Sequence, residues 1–337
     1  DGGFLAVAGE LSFSWLDATR WPDLPSTLRR LGGVRCTACH GPGAIPPPEA
    51  RDAILRSDVC ATCHDAPPRY VHVSQWRASR MARADADPST RRAPCARCHT
   101  TKGFLDVVGA RKANAAHSGA DGSGIACGAC HAPHAAHRGP RLLRPIEAAA
   151  GSTASGEQAS SALCLSCHAS LAEGTHATAA AGPLLLGRAA LPLAQGAGWQ
   201  ELRGPAVHAT PRGCIGCHGA QPASAKLDHS FKVVEGTCAS CHARERLSQL
   251  RAGAAEINQH AERLLRALAA SCDIAGPWLL GSPLHARSAA ISCRSPRHAR
   301  ALYSVSLVLE DPAAGLHNAP FARVLLQQAE QLLVPAP

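Results

Sequence analysis

The sequence is poor in the large apolar side chains from which a chain of this length normally builds its core. Its 337 residues include five Trp, five Phe, two Tyr and a single Met. The length would suit two ordinary domains, but this shortage excludes a conventional apolar core throughout the chain. The sequence also lacks an apolar run of about 20 residues, so no transmembrane segment is expected.

Cysteine and histidine, in contrast, are abundant, with 16 and 18 copies. Most of the cysteines belong to seven Cys-x-x-Cys-His motifs, numbered 1 to 7 in chain order: Cys36-Cys39-His40, Cys60-Cys63-His64, Cys95-Cys98-His99, Cys127-Cys130-His131, Cys164-Cys167-His168, Cys214-Cys217-His218 and Cys238-Cys241-His242. Random placement predicts about 0.04 copies. Two thiols at this spacing reach the two vinyl carbons of one haem, and the adjacent histidine becomes the proximal iron ligand. The motifs predict seven covalent c-type haems.

Three other uses of this spacing are less consistent with the sequence. Zinc ribbons need paired Cys-x-x-Cys knuckles but no following histidine. A thioredoxin-like redox motif occurs once per domain, beside a βαβ pattern. A disulfide framework would employ the cysteines but would leave the seven histidines unexplained.

Seven haems would supply the apolar bulk that the side chains lack. We therefore predict a haem-dominated fold, mostly irregular and α, with a multihaem array over 36–243 that should not fold without haem. A short N-terminal strand or hairpin is expected in 1–35, and a helical cap over 244–337. Three amphipathic helices are predicted in the cap, over 244–270, 297–310 and 319–334. Two segments of low complexity are predicted to be surface linkers or loops, over 148–162 and 177–198.

The charge balance does not indicate a nucleic-acid partner. The formal net charge is +9, and 30 of the 34 basic residues are Arg. Haem propionates would offset this charge, and the planar Arg fork is well suited to pairing with carboxylates. We expect the arginines to bind propionates.

The compartment follows from the covalent haems, because they are attached on the outer side of the cytoplasmic membrane. We expect an exported, periplasmic or extracellular protein, and the start at Asp1 is consistent with a signal peptide already removed. Cys272 and Cys293 lie outside the haem motifs. In an oxidising compartment these two are expected to form a disulfide.

Several short segments, in their order along the chain, resemble a known superfamily. They are CHGPG (39–43), CHTTKGF (98–104), CHAPH (130–134), DHSF (228–231) and HNAPFARVLL (317–326). The chain resembles the multihaem cytochromes of the nitrite reductase, hydroxylamine oxidoreductase and octahaem tetrathionate reductase superfamily. The resemblance implies close-packed haems in alternating stacked and T-shaped pairs, with long C-terminal helices.

The eleven histidines outside the motifs could supply every distal ligand. The resemblance implies this role for His134, His229, His317 and His208, and His72, His117 and His176 are further candidates. His260 is expected to face solvent, and His285 and His298 to be structural or to bind propionates. Only one of His134 and His137 is expected to bind iron.

One segment departs from the superfamily pattern. Related proteins tend to have Trp-x-x-Ser-x-His with the histidine as distal ligand, whereas here Trp76 and Ser79 are followed by Met81. A thioether is a competent axial ligand that raises the reduction potential. Met81 is therefore a candidate ligand, and the alternative is a core methionine.

The superfamily contains both enzymes and electron carriers, so membership alone does not decide function. The Cys-x-x-Cys-Lys motif of pentahaem nitrite reductases is missing, and Tyr70 and Tyr303 are not in a crosslinking context. We therefore favour an electron carrier, either a shuttle or a subunit of an extracellular haem filament. Its partners would be redox proteins or copies of itself. The alternative is an oxidoreductase that reduces a small nitrogen or sulfur oxyanion at an open haem.

Overall fold

The structure, a computed structural model, describes residues 22–23, 26, 29, 36–41, 57–65, 70–86, 88–91, 95–108, 124–135, 143–144, 157–169, 180–192, 199–204, 207–208, 213–220, 227–274 and 293–334. Across these residues the chain is mostly helical and irregular, with a small two-stranded sheet. The strand or hairpin predicted near the N-terminus lies outside the described residues. So do four of the histidines considered above: His117, His137, His176 and His285.

Short helices dominate the motif-bearing part of the chain. They are α1 (Cys36–His40), α2 (Ser57–His64), α3 (His72–Arg77), α4 (Ala96–His99), α5 (Thr101–Val107), α6 (Cys127–Cys130), α7 (Glu157–His168), α8 (Ala181–Leu186), α9 (Ile215–His218) and α10 (Glu235–Cys238). Short 3₁₀ turns add Met81–Arg83, Pro88–Arg91 and Pro133–Ala135.

The motifs favour a single helical turn for a geometric reason. Residues i and i+3 lie on the same face of a helix, so one turn presents both thiols to the same side. In motif 4, the backbone N–H of His131 donates to the carbonyl of Cys127 at 2.8 Å, and in motif 7 that of His242 donates to Cys238 at 2.9 Å. This bond closes the turn and holds the histidine next to the two thiols.

The C-terminal part consists of three longer helices, α11 (Arg244–Leu268), α12 (Pro296–Leu309) and α13 (Ala314–Leu333). The three predicted helices are confirmed, although α13 begins earlier than predicted. Asn318 has non-helical torsion angles inside α13, and its side-chain oxygen accepts a hydrogen bond from the Phe321 N–H at 3.1 Å. Two helical segments are thus joined at a kink, and the sequence pattern showed only the second.

These helices pack around a continuous apolar core together with α8 and the sheet. Tyr303, Phe321 and Leu268 are among its fully buried side chains. A disulfide joins Cys272 to Cys293, as predicted, and links the end of α11 to the start of α12. A second, smaller apolar cluster in the motif region consists of Phe104, Leu105, Ile125, Ala129 and Leu163.

The prediction of a surface loop over 177–198 is wrong. This segment contains α8 and strand β1 (Arg188–Pro192), which pairs antiparallel with β2 (Trp199–Arg203). Leu184 is fully buried, and Gly187 ends α8 in the left-handed conformation with φ +62°. The other predicted loop, 148–162, is wrong at its end, because α7 begins at Glu157. Burial of leucines against a neighbouring helix outweighed the low-complexity composition.

No helix among the described residues has both the length and the apolar character needed to cross a membrane.

Candidate haem-binding sites

Pairs of histidine rings lie at the separation expected for two ligands of one iron. A metal–imidazole bond is about 2 Å long, so imidazoles on opposite sides of an iron have ring centroids about 6 Å apart. The observed separations are 5.8 Å for His40 and His134, 6.2 Å for His64 and His72, 6.4 Å for His131 and His229, 6.1 Å for His218 and His317, and 6.1 Å for His242 and His208. Each pair joins a motif histidine to a predicted distal ligand. The residues present therefore fit haem iron between two imidazoles.

Several of these imidazoles have their tautomer fixed by a hydrogen bond at Nδ1. His99 Nδ1 donates to the Ala84 carbonyl at 2.7 Å, and His218 Nδ1 donates to the Phe231 carbonyl at 3.1 Å. A proton on Nδ1 leaves the Nε2 lone pair available for a metal. Phe231 has a positive φ of 55°, which is uncommon for a residue with a side chain. This conformation occurs at the residue whose carbonyl accepts the hydrogen bond from His218.

The distal-ligand candidates of motifs 6 and 7 are linked to each other. His208 Nδ1 donates to the backbone carbonyl of His317 at 3.1 Å, and His317 Nδ1 donates to Asp311 Oδ2 at 2.6 Å. Burial alone would lower the pKa of His317, but the hydrogen bond and charge of Asp311 outweigh it, so the pKa is raised. One buried carboxylate thus anchors a short chain of two imidazoles.

Other site histidines are held neutral by burial, which is the state that a metal requires. Burial, followed by the nearby His72 and His131, lowers the pKa of His229 to about 4. Burial also lowers the pKa of His168. The Nδ1 atoms of His40 and His229 are buried and have no hydrogen-bond partner among the described residues. Burying such an atom without a partner costs free energy.

Helix α3, which begins at His72, is connected to motif 2 by the carboxylates of Asp65 and Asp58, and Asp58 Oδ1 lies 3.3 Å from the Arg77 guanidinium. Asp65 directly follows His64, and its Oδ1 accepts hydrogen bonds from the Ser74 N–H at 2.9 Å and the Ser74 hydroxyl at 2.6 Å. The Ser74 hydrogen bonds lower the pKa of Asp65. Arg77, also on α3, contacts the other oxygen of Asp65 at 3.4 Å. These contacts hold the His64 and His72 elements together.

The same helix also reaches the site of motif 4. Gln75 accepts a hydrogen bond from the His229 backbone N–H at 3.2 Å, and the Trp76 indole N–H donates to the Ile125 carbonyl at 2.8 Å. The rings of His72 and His229 are 4.7 Å apart, too close to hold a metal between them. The distal candidates of motifs 2 and 4 therefore pack directly against each other.

Motif cysteines also contact each other across different motifs. Hydrogen bonds join motif 2 to motif 4, motif 3 to motif 5 and motif 5 to motif 6, through the pairs Cys60–Cys127, Cys98–Cys167 and Cys164–Cys214. Before haem attachment, when these cysteines are free thiols, the hydrogen bond in each pair raises the pKa of one thiol and lowers that of the other, to about 6 for Cys127, about 7 for Cys98 and about 6 for Cys214.

Weaker electrostatic contacts complete the order of the motifs. Cys39 interacts with Cys60, Cys130 with Cys164 and Cys167, and Cys217 with Cys238 and Cys241. Among the described residues, the hydrogen bonds and these electrostatic interactions link motifs 1, 2, 4, 5, 6 and 7 in that order, with motif 3 linked to motif 5. Both cysteines are exposed in motifs 1 and 7, and both are partly buried in motifs 3, 4 and 5. Motifs 1 and 7, at the two ends of this series, therefore have the most accessible cysteines.

Met81 lies in an apolar environment. It packs against the small cluster around Phe104, and Cys130 and Cys167 pack against the same cluster. Its carbonyl accepts a hydrogen bond from the Ile125 N–H at 3.1 Å. This position is close to two motifs, and ligation by Met81 stays a prediction.

The remaining described histidines have other partners. His260 Nε2 lies 2.8 Å from Glu330, and His298 Nδ1 lies 2.7 Å from the hydroxyl of Ser295 at the start of α12. Sequence patterns did not predict the groups that accept hydrogen bonds from the Nδ1 atoms of the site histidines. Backbone carbonyls such as that of Ala84 carry no side-chain signal, and Asp311 matches no motif that joins it to His317.

Comparisons with known proteins identify one sequence motif and two similar folds. Residues 117–173, which contain motifs 4 and 5, match the family described as Doubled CXXCH motif. The fold is similar to the crystal structure of Outer Cell Wall Cytochrome OcwA, with a TM-score of 0.59 and 18% identity over 90% of this chain and 70% of that chain. It is also similar to the undecahaem cytochrome from the S-layer of Carboxydothermus ferrireducens, with a TM-score of 0.57 and 18% identity over 90% of this chain and 51% of that one.

This chain thus spans about half the length of the S-layer cytochrome. No curated protein matches it by sequence. The doubled motif carries covalent c-type haems, and the fold is that of multihaem cytochromes.

Proposed function

We propose that this chain is an extracytoplasmic electron-transfer protein that carries electrons along seven covalently bound c-type haems. The observation that carries the proposal is the continuous order of motif contacts from motif 1 to motif 7. Its two ends are exposed and its middle is partly buried. Among the members of the superfamily that its motif order resembles, it would be a heptahaem carrier.

The residues have separate tasks in this proposal. The paired motif cysteines attach each haem, and the motif histidine is its proximal ligand. The axial pairs are His40 with His134, His64 with His72, His131 with His229, His218 with His317, and His242 with His208. His99 and His168 would be served by Met81, His117 or His176. When bound, the haems supply reversible one-electron iron chemistry.

The contacts between motifs support a particular route. Motif 2 contacts motif 4 through Cys60 and Cys127 and bypasses motif 3, whereas motif 5 contacts the next motif in the chain through Cys164 and Cys214. Motif 3 meets motif 5 through Cys98 and Cys167. We place the haem of motif 3 on a side branch and the other six on the main route.

Location and partners follow from the same features. Covalent haem and the Cys272–Cys293 disulfide both favour a compartment outside the cytoplasm. The similar structures are named as outer cell-wall and S-layer cytochromes, which supports a partner at a cell surface. That partner would be another redox protein or a second copy of this chain.

The haem count and the ligand state test the proposal together. The intact mass should exceed that of the polypeptide by seven haems, and electron paramagnetic resonance (EPR) of the oxidised protein should show low-spin iron throughout. The reduced protein should pass electrons to a cytochrome or a ferric chelate in stopped-flow experiments. A mass short of seven haems would refute the count. A high-spin signal combined with rapid oxidation by nitrite, hydroxylamine or tetrathionate would replace the carrier with an oxidoreductase.

A further inference from the structure

Asp311 contacts a candidate iron ligand in a way that sets one haem site apart. Its Oδ2 accepts the hydrogen bond from His317 Nδ1 at 2.6 Å, and its side chain is only 4% exposed. Its Oδ1 accepts a second hydrogen bond from the Ala313 backbone N–H at 3.0 Å. The carboxylate is therefore held in one orientation at the start of α13.

The other Nδ1 partners described above are neutral. His99, His218 and His208 each donate to a backbone carbonyl, which carries only a partial negative charge. A hydrogen bond to a carboxylate increases the basicity of an imidazole more than a bond to a carbonyl does. Among these four imidazoles, His317 should be the strongest electron donor to a metal.

The surroundings of Asp311 keep this effect strong. The carboxylate is buried, and a charge in a low-dielectric site is screened far less than one at the surface. The element that carries His317 is also rigid, because Asn318 donates to the Leu184 carbonyl at 3.0 Å and is itself fully buried. The hydrogen bond from His317 to Asp311 is thus held by the apolar core of the C-terminal helices.

We propose that Asp311 is a positioning residue that lowers the reduction potential of the iron held between His218 and His317. Through His317 the carboxylate donates charge to the iron and favours its ferric state. The proposal rests on the proposed function, since it takes the two histidines as axial ligands. Its consequence is local: the haem of motif 6 becomes the low-potential step next to the exposed haem of motif 7.

The test compares Asp311→Asn with Glu330→Gln in the fully haem-loaded protein. Both substitutions remove one negative charge from a carboxylate that binds a histidine, but the Glu330 partner is His260, which is not paired with a motif histidine among the described residues. In Asp311→Asn, we expect one of the seven redox transitions to move to higher potential, and one low-spin EPR signal to show larger g-anisotropy. In Glu330→Gln the titration should overlay the wild type.

The opposite results would overturn the proposal. If the redox titration and the spectra of Asp311→Asn match those of the wild type, the carboxylate has only a structural role. If Asp311→Asn does not accumulate, Asp311→Glu keeps the charge but displaces it, and a smaller upward shift of the same transition is expected. An unchanged transition in that variant also refutes the idea. A failure of the proposed function would look different, because the wild type itself would then lack seven low-spin haems.

Discussion

The C-terminal helices and the motif region are stabilised in different ways. In the helices α11 to α13, side chains such as Tyr303, Phe321 and Leu325 are fully buried in one continuous core. Among its described residues, the motif region has the small cluster around Phe104 and isolated buried side chains such as Val73, and many of its motif cysteines are exposed. Side-chain burial can therefore account for the first region better than for the second. We predict that the second region depends on bound haems.

The largest expected effect comes from removing the haems. In protein produced without haem attachment, the motif region should lose its structure, since metal and cofactor binding there supplies the folding free energy. The helices α11 to α13 should persist, because their core needs no cofactor. Hydrogen exchange read by mass spectrometry should show protection over 244–268 and 296–333 but not over 57–65 or 127–131. Equal loss of protection in both regions would show that the C-terminal helices also depend on haem.

A smaller effect should follow from a cavity in the C-terminal core. Phe321 is fully buried, and its ring packs so closely on Gly204 that a Cβ there would lie 2.4 Å from Cδ2. Phe321→Ala should lower the free energy of unfolding by about 3–5 kcal/mol. Denaturant unfolding followed by far-UV circular dichroism measures this change.

Val324 on the same helix provides the matched control, since it is 39% exposed. Val324→Ala should change the free energy of unfolding by less than about 0.5 kcal/mol. The haem absorption spectrum of both variants should stay close to the wild type under native conditions. Comparable losses for the two substitutions would mean that the core is not the source of stability.

The smallest effect on stability is expected at Met81, where a substitution is predicted to change the reduction potential of one haem. If Met81 is an axial ligand, Met81→His should preserve six-coordinate iron and lower one reduction potential, because imidazole stabilises ferrous iron less than a thioether does. A sulfur-to-iron charge-transfer band should be present in the oxidised wild type and absent in the variant. Bis-histidine spectra for all seven haems of the wild type would assign Met81 to packing alone.

Much of the candidate site was predictable because its chemistry depends on local spacing. The motifs predict the attachment cysteines and proximal histidines, and the helix over 244–268 followed from leucine and alanine spacing. Which distal histidine faces which motif could not be predicted, since His134 and His40 meet only through the folded chain. The burial of Leu184 in an alanine-rich segment was also hidden, because composition does not show what a segment packs against.

The pairing of histidines also determines the order in which the haem sites can be completed as the chain is synthesised. Eight residues separate His64 from His72, but ninety-four separate His40 from His134 and ninety-nine separate His218 from His317. A chain is made from its N-terminus, so the site of motif 2 can gain its second imidazole almost at once. The site of motif 1 must wait until motif 4 has been made, and that of motif 6 until α13 has been made. Helix α13 therefore completes a site one step from the end of the route, and a chain truncated before α13 would be left with an open iron there.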